Sequence, residues 1–283
     1  MKADLKKHLL ITKFTKRDYM KKLIHYLLVL GLILLGWSVF IEPHLLTQTT
    51  YTLKNKQLKG LKIVYISDIH AAPYHRLFLK HIVNSINQLK PDVILLGGDF
   101  VKGHTEQSSM DMNDIALTFN QLKAPLGIYA VLGNHDGYIN SKKMSQSLIQ
   151  NNIMVLSNKN KLIQYKNNSF YIAGIEDMLT GNPDIQKAIP NSNLPIILLS
   201  HTPDMFPQVP STVFLTLSGH THGGQIKMPF WGAVLVPSIY GTQYAEGLIK
   251  ENGKNLIVSR GIGTSILPIR FNCFPEIVII KFE

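Results

Sequence analysis

From Leu23 to Ile41 the chain runs nineteen residues without a formal charge. As a helix rising ~1.5 Å per residue this run spans roughly 28 Å, close to the ~30 Å hydrocarbon core of a bilayer. The pattern then shortens. Thr47 to Leu53 alternates and is rich in β-formers, which predicts an edge strand, and residues 61–66 form an apolar run that reads as a buried strand. Residues 75–89 place Leu77, Ile82, Ile86 and Leu89 at helical spacing, with a stop at Lys90-Pro91. A strand at 93–96, a helix at 112–122, a strand at 127–132 and a helix at 141–150 continue the alternation. Beyond residue 153 the rhythm becomes strand-rich, with strands expected at 153–156, 162–165, 169–173, 196–199, 213–217, 256–258 and 277–282 and a short helix at 184–188. Strand–helix–strand repeats followed by a run of strands predict an α/β protein with two facing sheets and helices outside.

Composition changes this picture at one end of the chain. Net charge is +11 over 283 residues, but residues 1–22 hold eight of the basic residues against Asp4 and Asp18. A share of +6 therefore belongs to the N-terminus, leaving +5 for everything after it. That balance does not demand a nucleic-acid groove, and no specific nucleic acid is expected as a partner. The basic flank, the apolar run and Trp37 near its far end predict an uncleaved single-span anchor at 23–41. The positive-inside rule puts residues 1–22 in the cytoplasm and the domain outside, with Lys54, Lys56, Lys59 and Lys62 opposing that assignment. A basic segment 1–22, an anchor 23–41, a linker and edge strand 42–60 and one domain 61–283 complete the expected organisation. Cys273 is the single cysteine, so an intrachain disulfide and a cysteine-rich zinc site are both excluded. Nothing in the chain signals an obligate protein partner.

Candidate chemistry sits where hydrophobic runs stop. Five runs end in Asp, His or Asn: Asp68-Ile69-His70, Gly98-Asp99, Gly133-Asn134-His135-Asp136, Ser200-His201 and Gly219-His220-Thr221-His222. In open α/β sheets, sites gather at the carboxyl ends of strands. Neutral imidazole is the commonest protein ligand for transition metals, and mixed N/O donors suit Mn, Fe or Zn better than Mg or Ca. The ligand-type residues are split between both halves of the chain, so neither half could build the site alone.

This motif set, in this order, resembles the calcineurin-like metallophosphoesterase superfamily over residues 61–283. The anchor and the tail (His222-Gly223-Gly224-Gln225, Pro237-Ser238, Tyr240-Gly241 and Ser259-Arg260-Gly261-Ile262-Gly263-Thr264-Ser265) are similar to its membrane-anchored bacterial phosphodiesterase branch, which includes UDP-2,3-diacylglucosamine diphosphatases of lipid A synthesis. The resemblance implies a four-layer αββα sandwich of two mixed sheets with a site for two divalent ions, manganese favoured. Carried over by position, Asp68, His70, Asp99 and His222 would hold one ion, and Asp99, Asn134, His201 and His220 the other. A carboxylate shared by two dications ~3.5–4 Å apart makes electrostatic sense, and a hydroxide bridging them would be the nucleophile. His135 is then free to protonate or hydrogen-bond the leaving oxygen, while the amide of Asn134 faces phosphate.

Two positions depart from the protein-phosphatase branch. Leu132 stands where an arginine clamps the phosphomonoester, which disfavours a protein phosphatase. Lys102 stands where an acidic residue orients the catalytic histidine, so another group must position His135, and Lys102 either meets substrate charge or lies exposed. His104 follows the Asp99 loop and could approach substrate; Arg260 could bind phosphate or form a structural ion pair. Phe230 and Trp231 are read as core in preference to an apolar platform for a membrane or acyl chain. The function expected is a membrane-anchored phosphodiesterase or pyrophosphatase acting on a lipid-linked or nucleotide-linked phosphate substrate. A nuclease or nucleotide phosphodiesterase and a catalytically silent metal-bound scaffold are the alternatives. Precursors of lipid A belong to the cytoplasmic face, a tension with the external placement read from the lysines.

Overall fold

The computed structural model describes the backbone of residues 2–283 and the side chains from residue 16 onward, so Lys2, Lys6, Lys7 and Lys13 lie outside the described side chains. The chain forms two compact units, Met1–Ile41 and Glu42–Glu283. The first is helix α1 (Lys2–Gly36), closed by a π-turn at Trp37–Ile41. Within the helical stretch Lys16–His44 an 18-residue window has a mean hydropathy of 2.2, and the stretch is long and apolar enough to cross a membrane. Its leucines and isoleucines are exposed on every side, the reverse of a core helix.

The second unit contains two six-stranded sheets. In the first, β1 (Thr47–Leu53) pairs parallel to the C-terminal β14 (Glu276–Phe282). Strand β14 runs antiparallel to β2 (Lys62–Ile66), which begins a parallel series with β3 (Val93–Leu96), β4 (Ile128–Ala130) and β5 (Met154–Val155). The second sheet has the order β12-β13-β9-β8-β7-β6. Its members are β6 (Lys159–Tyr165), β7 (Asn168–Gly174), β8 (Ile196–Leu199), β9 (Leu215–Ser218), β12 (Gly247–Glu251) and β13 (Lys254–Val258), with antiparallel hairpins at the two edges and parallel strands between. A small hairpin, β10 (Lys227–Met228) and β11 (Gly232–Ala233), stands outside both sheets.

Alternation along each strand sorts side chains into layers. Ile63 and Tyr65 of β2 face Phe170, Ile172 and Leu217 between the sheets. Val64 and Ile66 face outward, against α2 (Arg76–Gln88), α3 (Met112–Phe119) and α4 (Asn134–Gln150), where Ile82, Phe119 and Leu148 cover them. On the far side, Ile196 and Leu198 pack under the one-turn α5 (Ile185–Ala188) and the 3-10 turn Pro203–Gln208. The architecture is the expected αββα sandwich, with a thin fourth layer.

Two local expectations fail for physical reasons, and one strand is additional to those expected. Leu77 is exposed, because Leu79, Ile82, Val83 and Ile86 form the buried stripe of α2. Helix α4 starts at Asn134, seven residues before the expected 141, and is interrupted by the non-helical backbone of Asn140. Strand β12 was not foreseen, although Asn252-Gly253 at positive φ (51° and 75°) closes its hairpin with β13. Asn-Gly between two β-runs is the two-residue hairpin signal, and here it stood in the sequence.

Candidate metal centre

The parallel strands of both sheets deliver their carboxyl ends to one place. Strand β2 leads to Asp68 and His70, β3 to Asp99 and β4 to Asn134 and His135; from the second sheet β8 leads to His201 and β9 to His220 and His222. All eight predicted residues at these ends are brought together. Three groups of donor atoms result: Asp68 with His70 and His222, Asp99 with His201 and His220, and His70 with Asp99 and His135.

The spacing within the groups is diagnostic. His70 Nε2 lies 3.1 Å from His222 Nε2, and His222 Nε2 lies 3.6 Å from Asp68 Oδ1. Asp99 Oδ2 is 3.5 Å from His70 Nε2 and 3.4 Å from His201 Nε2. Asn134 Oδ1 sits 2.8 Å from His220 Nδ1 and 3.2 Å from His201 Nε2. Ligands bound at ~2.1 Å around one ion stand about 3.0–3.4 Å from each other, so these separations fit donors arranged around common centres. Asp99 Oδ2 belongs to both sets.

Backbone and second contacts hold the donors in place. Asp68, His70, Asp99, His220 and His222 all have positive φ, between 44° and 68°. Non-glycine residues there cost about 1 kcal/mol or more each, and such strain survives where the surroundings over-determine it, characteristically at functional sites. Gly98 also has φ +93°, and a Cβ on it would meet the Gly133 nitrogen at 2.4 Å, so glycine alone lets the β3 and β4 loops touch. The Asp68 carboxylate accepts from the His220 N–H at 2.9 and 3.1 Å. His201 Nδ1–H donates to the Gly97 carbonyl at 2.7 Å, which turns Nε2 inward.

Electrostatics leave most imidazoles neutral. Burial pushes His70 down to about 3 and His220 to about 4, and it holds His222 well below its ordinary value, with His70 adding to the effect. Burial raises Asp68 to about 6. Burial is the largest influence on Asp99 and would raise it, but the charge and hydrogen bond of His201, with His70 and His135, together hold Asp99 low, while Asp99 in return raises His201 against the effect of burial. Neutral imidazoles with free lone pairs, beside carboxylates, are the protonation states a divalent ion requires. The donor set therefore fits a divalent transition metal.

His135 is oriented by a group that no sequence pattern encodes. Its Nδ1–H donates to the Gly103 carbonyl at 2.7 Å, and its backbone N–H donates to Asp99 Oδ1 at 2.8 Å. The main chain one residue past Lys102 thus supplies the orienting acceptor, leaving Nε2 for chemistry. Asp136 closes the motif Gly133-Asn134-His135-Asp136. It is fully buried and accepts from the N–H groups of Asp99, Phe100, Val101 and Gly133, tying the Asp99 loop to the start of α4. Burial, reinforced by the charge of Asp99, lifts its carboxyl to about 7.

The remaining predicted residues fall around the rim. His104 is exposed, with its ring 5.1 Å from His135 and 4.9 Å from Tyr138. Lys102 reaches Tyr74, Nζ to Oη 3.5 Å. Arg260 pairs with Glu276 at 2.8 Å and approaches Glu246 at 3.8 Å, so of its two expected roles the geometry realises the ion pair. The tail motif that carries Arg260 braces the Asp68 loop: Ile262 N–H donates to Ser67 O and Gly263 N–H to Asp68 O. Behind it Arg270, fully buried and unremarked in the sequence, donates to the carbonyls of Arg260, Gly261, Gly263 and Cys273. Phe230 and Trp231 are fully or almost fully exposed (104% and 84%), which overturns their reading as core.

A carboxylate–imidazole cage at the strand ends of an αββα sandwich defines a metal-dependent phosphoester hydrolase, and the chain belongs to the calcineurin-like phosphoesterase family, whose pattern matches residues 61–224. Among similar proteins, the uncharacterized metallophosphoesterase YkuE of Bacillus subtilis (strain 168) is 33% identical over 88% of this chain and 89% of its own length. The phosphodiesterase YaeI of Escherichia coli (strain K12) is 32% identical, covering 78% of this chain and 81% of its own. The UDP-2,3-diacylglucosamine pyrophosphatase LpxG of Chlamydia muridarum (strain MoPn / Nigg) is 30% identical, covering 87% and 92%.

Proposed function

We propose that this chain is a membrane-anchored, two-ion phosphodiesterase or pyrophosphatase acting on a lipid-linked phosphate substrate, of which UDP-2,3-diacylglucosamine is one example. The observation that carries the two-ion reading is Asp99 Oδ2, placed between His70 of one donor group and His201 of the other at nearly equal distance. Asp68, His70, His222 and Asp99 would hold one ion; Asp99, Asn134, His201 and His220 the second. Manganese is the favoured metal, with Fe and Zn compatible with the same donors. Bound there, the ions supply Lewis acidity toward phosphoryl oxygens and an activated water near neutral pH.

The chain's own residues do the rest. Asn134, at the first turn of α4, offers its carbonyl oxygen to the cage and its amide to a phosphoryl oxygen. His135, held by Gly103, keeps Nε2 available to donate a proton or hydrogen bond to the leaving oxygen. Lys102 and His104 at the rim are in reach of further substrate charge. The helical stretch 16–44 would tether the domain, raising the effective concentration of amphiphilic substrates, and the lysine asymmetry favours the outer face. The pyrophosphatase named among the relatives supports the lipid-linked class. The test is hydrolysis of bis-p-nitrophenyl phosphate by the full chain. Activity is expected with added Mn2+, lost on chelation and lost in Asn134→Ala; metal-independent hydrolysis, or an active Asn134→Ala protein, contradicts the reading.

A further inference from the structure

One surface of the domain has the wrong polarity for water. From Met228 to Thr242 the chain carries no charged residue, and neither does Thr264 to Ile269. Here Phe230, Trp231, Val234, Leu235, Ile239 and Ile266 all project into solvent. They come from loop tips: Phe230 sits at φ +71° in the turn between β10 and β11 and is fully exposed. Exposed apolar patches of this kind mark protein or membrane contacts.

Hydrogen bonds join the two stretches into one body. Gln225 Nε2 donates to the carbonyls of Leu267 and Ile269, Ser265 N–H donates to Gln225 Oε1, and Lys227 N–H donates to Phe271 O. The same body holds the residue at which the domain joins the apolar helix. Cys273 N–H donates to Glu42 Oε1 at 2.6 Å, and Glu42 directly follows the last residue of the helical unit. Two residues on, His44 packs its ring 5.5 Å from Phe78, beside the exposed Tyr74 and Leu77. The apolar stretches therefore belong to the same domain body that holds Glu42. The cage is also adjacent: Cys273 Sγ contacts His222 O at 3.2 Å, and β10 starts five residues after His222.

We propose that the β10–β11 hairpin with its following loop, together with residues 265–267, is a lip that inserts into the outer part of a lipid bilayer beside the metal cage. The occupant is lipid because the surface is a set of convex tips without charge. A protein partner would need a complementary flat or concave patch with a polar rim. Trp and Phe at the tips suit the membrane–water interface, where aromatic side chains concentrate, and the depth is that of an interfacial element, not a span. The lip would present the cage to ester bonds at head-group level, so the substrate need not leave the membrane. The proposal rests on reading the enzyme as one that works on lipid-linked substrate at a membrane surface, and it is independent of the tether and of the number of metal ions.

The chain has two tryptophans, Trp37 near the end of the apolar run and Trp231 in the lip, so each reports on one element. The full-length protein is reconstituted into phosphatidylcholine vesicles containing lipids brominated in the upper acyl chain. In Trp37→Phe, the emission of Trp231 is expected to shift to the blue, to be quenched by the brominated lipid and to resist iodide in the aqueous phase. In Trp231→Phe, the quenching of Trp37 tests the tether separately. Quenching of Trp37 with a water-exposed Trp231 overturns the lip and leaves the tether standing. Quenching of Trp231 alone supports the lip and removes the tether. A blue shift that depends on the protein-to-lipid ratio without bromine quenching indicates a second copy of the chain and overturns the proposal. A bimane label on Val234→Cys repeats the measurement without altering either tryptophan, Cys273 being buried.

Discussion

The metal cage and the apolar lip are neighbours, and each reverses the ordinary rule of burial. In the cage, carboxylates, imidazoles and an amide are withdrawn from solvent, His220 alone among them only partly buried, on backbone that includes five residues at positive φ. In the lip, phenylalanine, tryptophan, leucine and isoleucine stand in water on uncharged loops. A buried polar group is costly unless satisfied, and an exposed apolar surface invites association. Both regions are therefore poor solutions for folding alone: the donors of the cage fit divalent cations, and lipid is the neighbour proposed for the lip.

The contrast can be broken most forcefully at Asp99. Asp99→Ala removes the shared carboxylate and the acceptor for His135 N–H together, and Mn2+-dependent hydrolysis is expected to fall to the level without enzyme. Retained activity would dissolve the two-ion reading. His135→Gln should lower kcat by about 10²–10⁴-fold on diesters with poor leaving groups. The loss should be much smaller on p-nitrophenyl esters, whose leaving group needs no proton; equal losses on both would assign His135 a role other than proton donor.

Stability sharpens the same comparison. Phe170, fully buried between the sheets, and Phe230, fully exposed, are the same residue under opposite conditions. Phe170→Ala should cost about 3–5 kcal/mol in denaturant unfolding, and Phe230→Ala should stay within about 0.5 kcal/mol. A large cost at Phe230 would return it to the core. Asp136→Asn, which leaves four N–H donors facing a neutral amide, should cost about 1–3 kcal/mol and loosen metal affinity about 10–100-fold. Isothermal titration with Mn2+ reads the second effect.

The smallest effect concerns pH. Burial, with the charges of Lys102 and His44, lowers His75 to about 4 from its usual 6.5. Between those values the unfolded chain holds a proton that the folded chain has shed. The contribution is therefore fully present above about 6.5 and is lost as pH falls toward 4. His75→Gln should flatten that part of the stability profile, and an unchanged slope would remove the assignment.

What the sequence disclosed follows the same division. Parallel strands buried on both faces read as unbroken apolar runs, so β2, β3, β8 and β9 and the residues at their ends were legible, and with them the cage. The first turn of α4 was not, because Asn134 to Asn140 carries functional and polar residues where a helix would show its apolar stripe. The orienting acceptor for His135 is a main-chain carbonyl, which has no side-chain signature. Phe230 and Trp231 were misread because hydropathy reports what a side chain prefers and is silent on which neighbour, core or membrane, supplies it. Arg270 was passed over because its partners are four carbonyls instead of an acid.

The central claim, that two cations share Asp99, is met most directly by electron paramagnetic resonance on metal-stripped full-length protein titrated with Mn2+. Two ions per chain and an exchange-coupled spectrum that collapses in Asp99→Ala are the expected result. A six-line spectrum of isolated manganese at every stoichiometry, unaltered by Asp99→Ala, would contradict it.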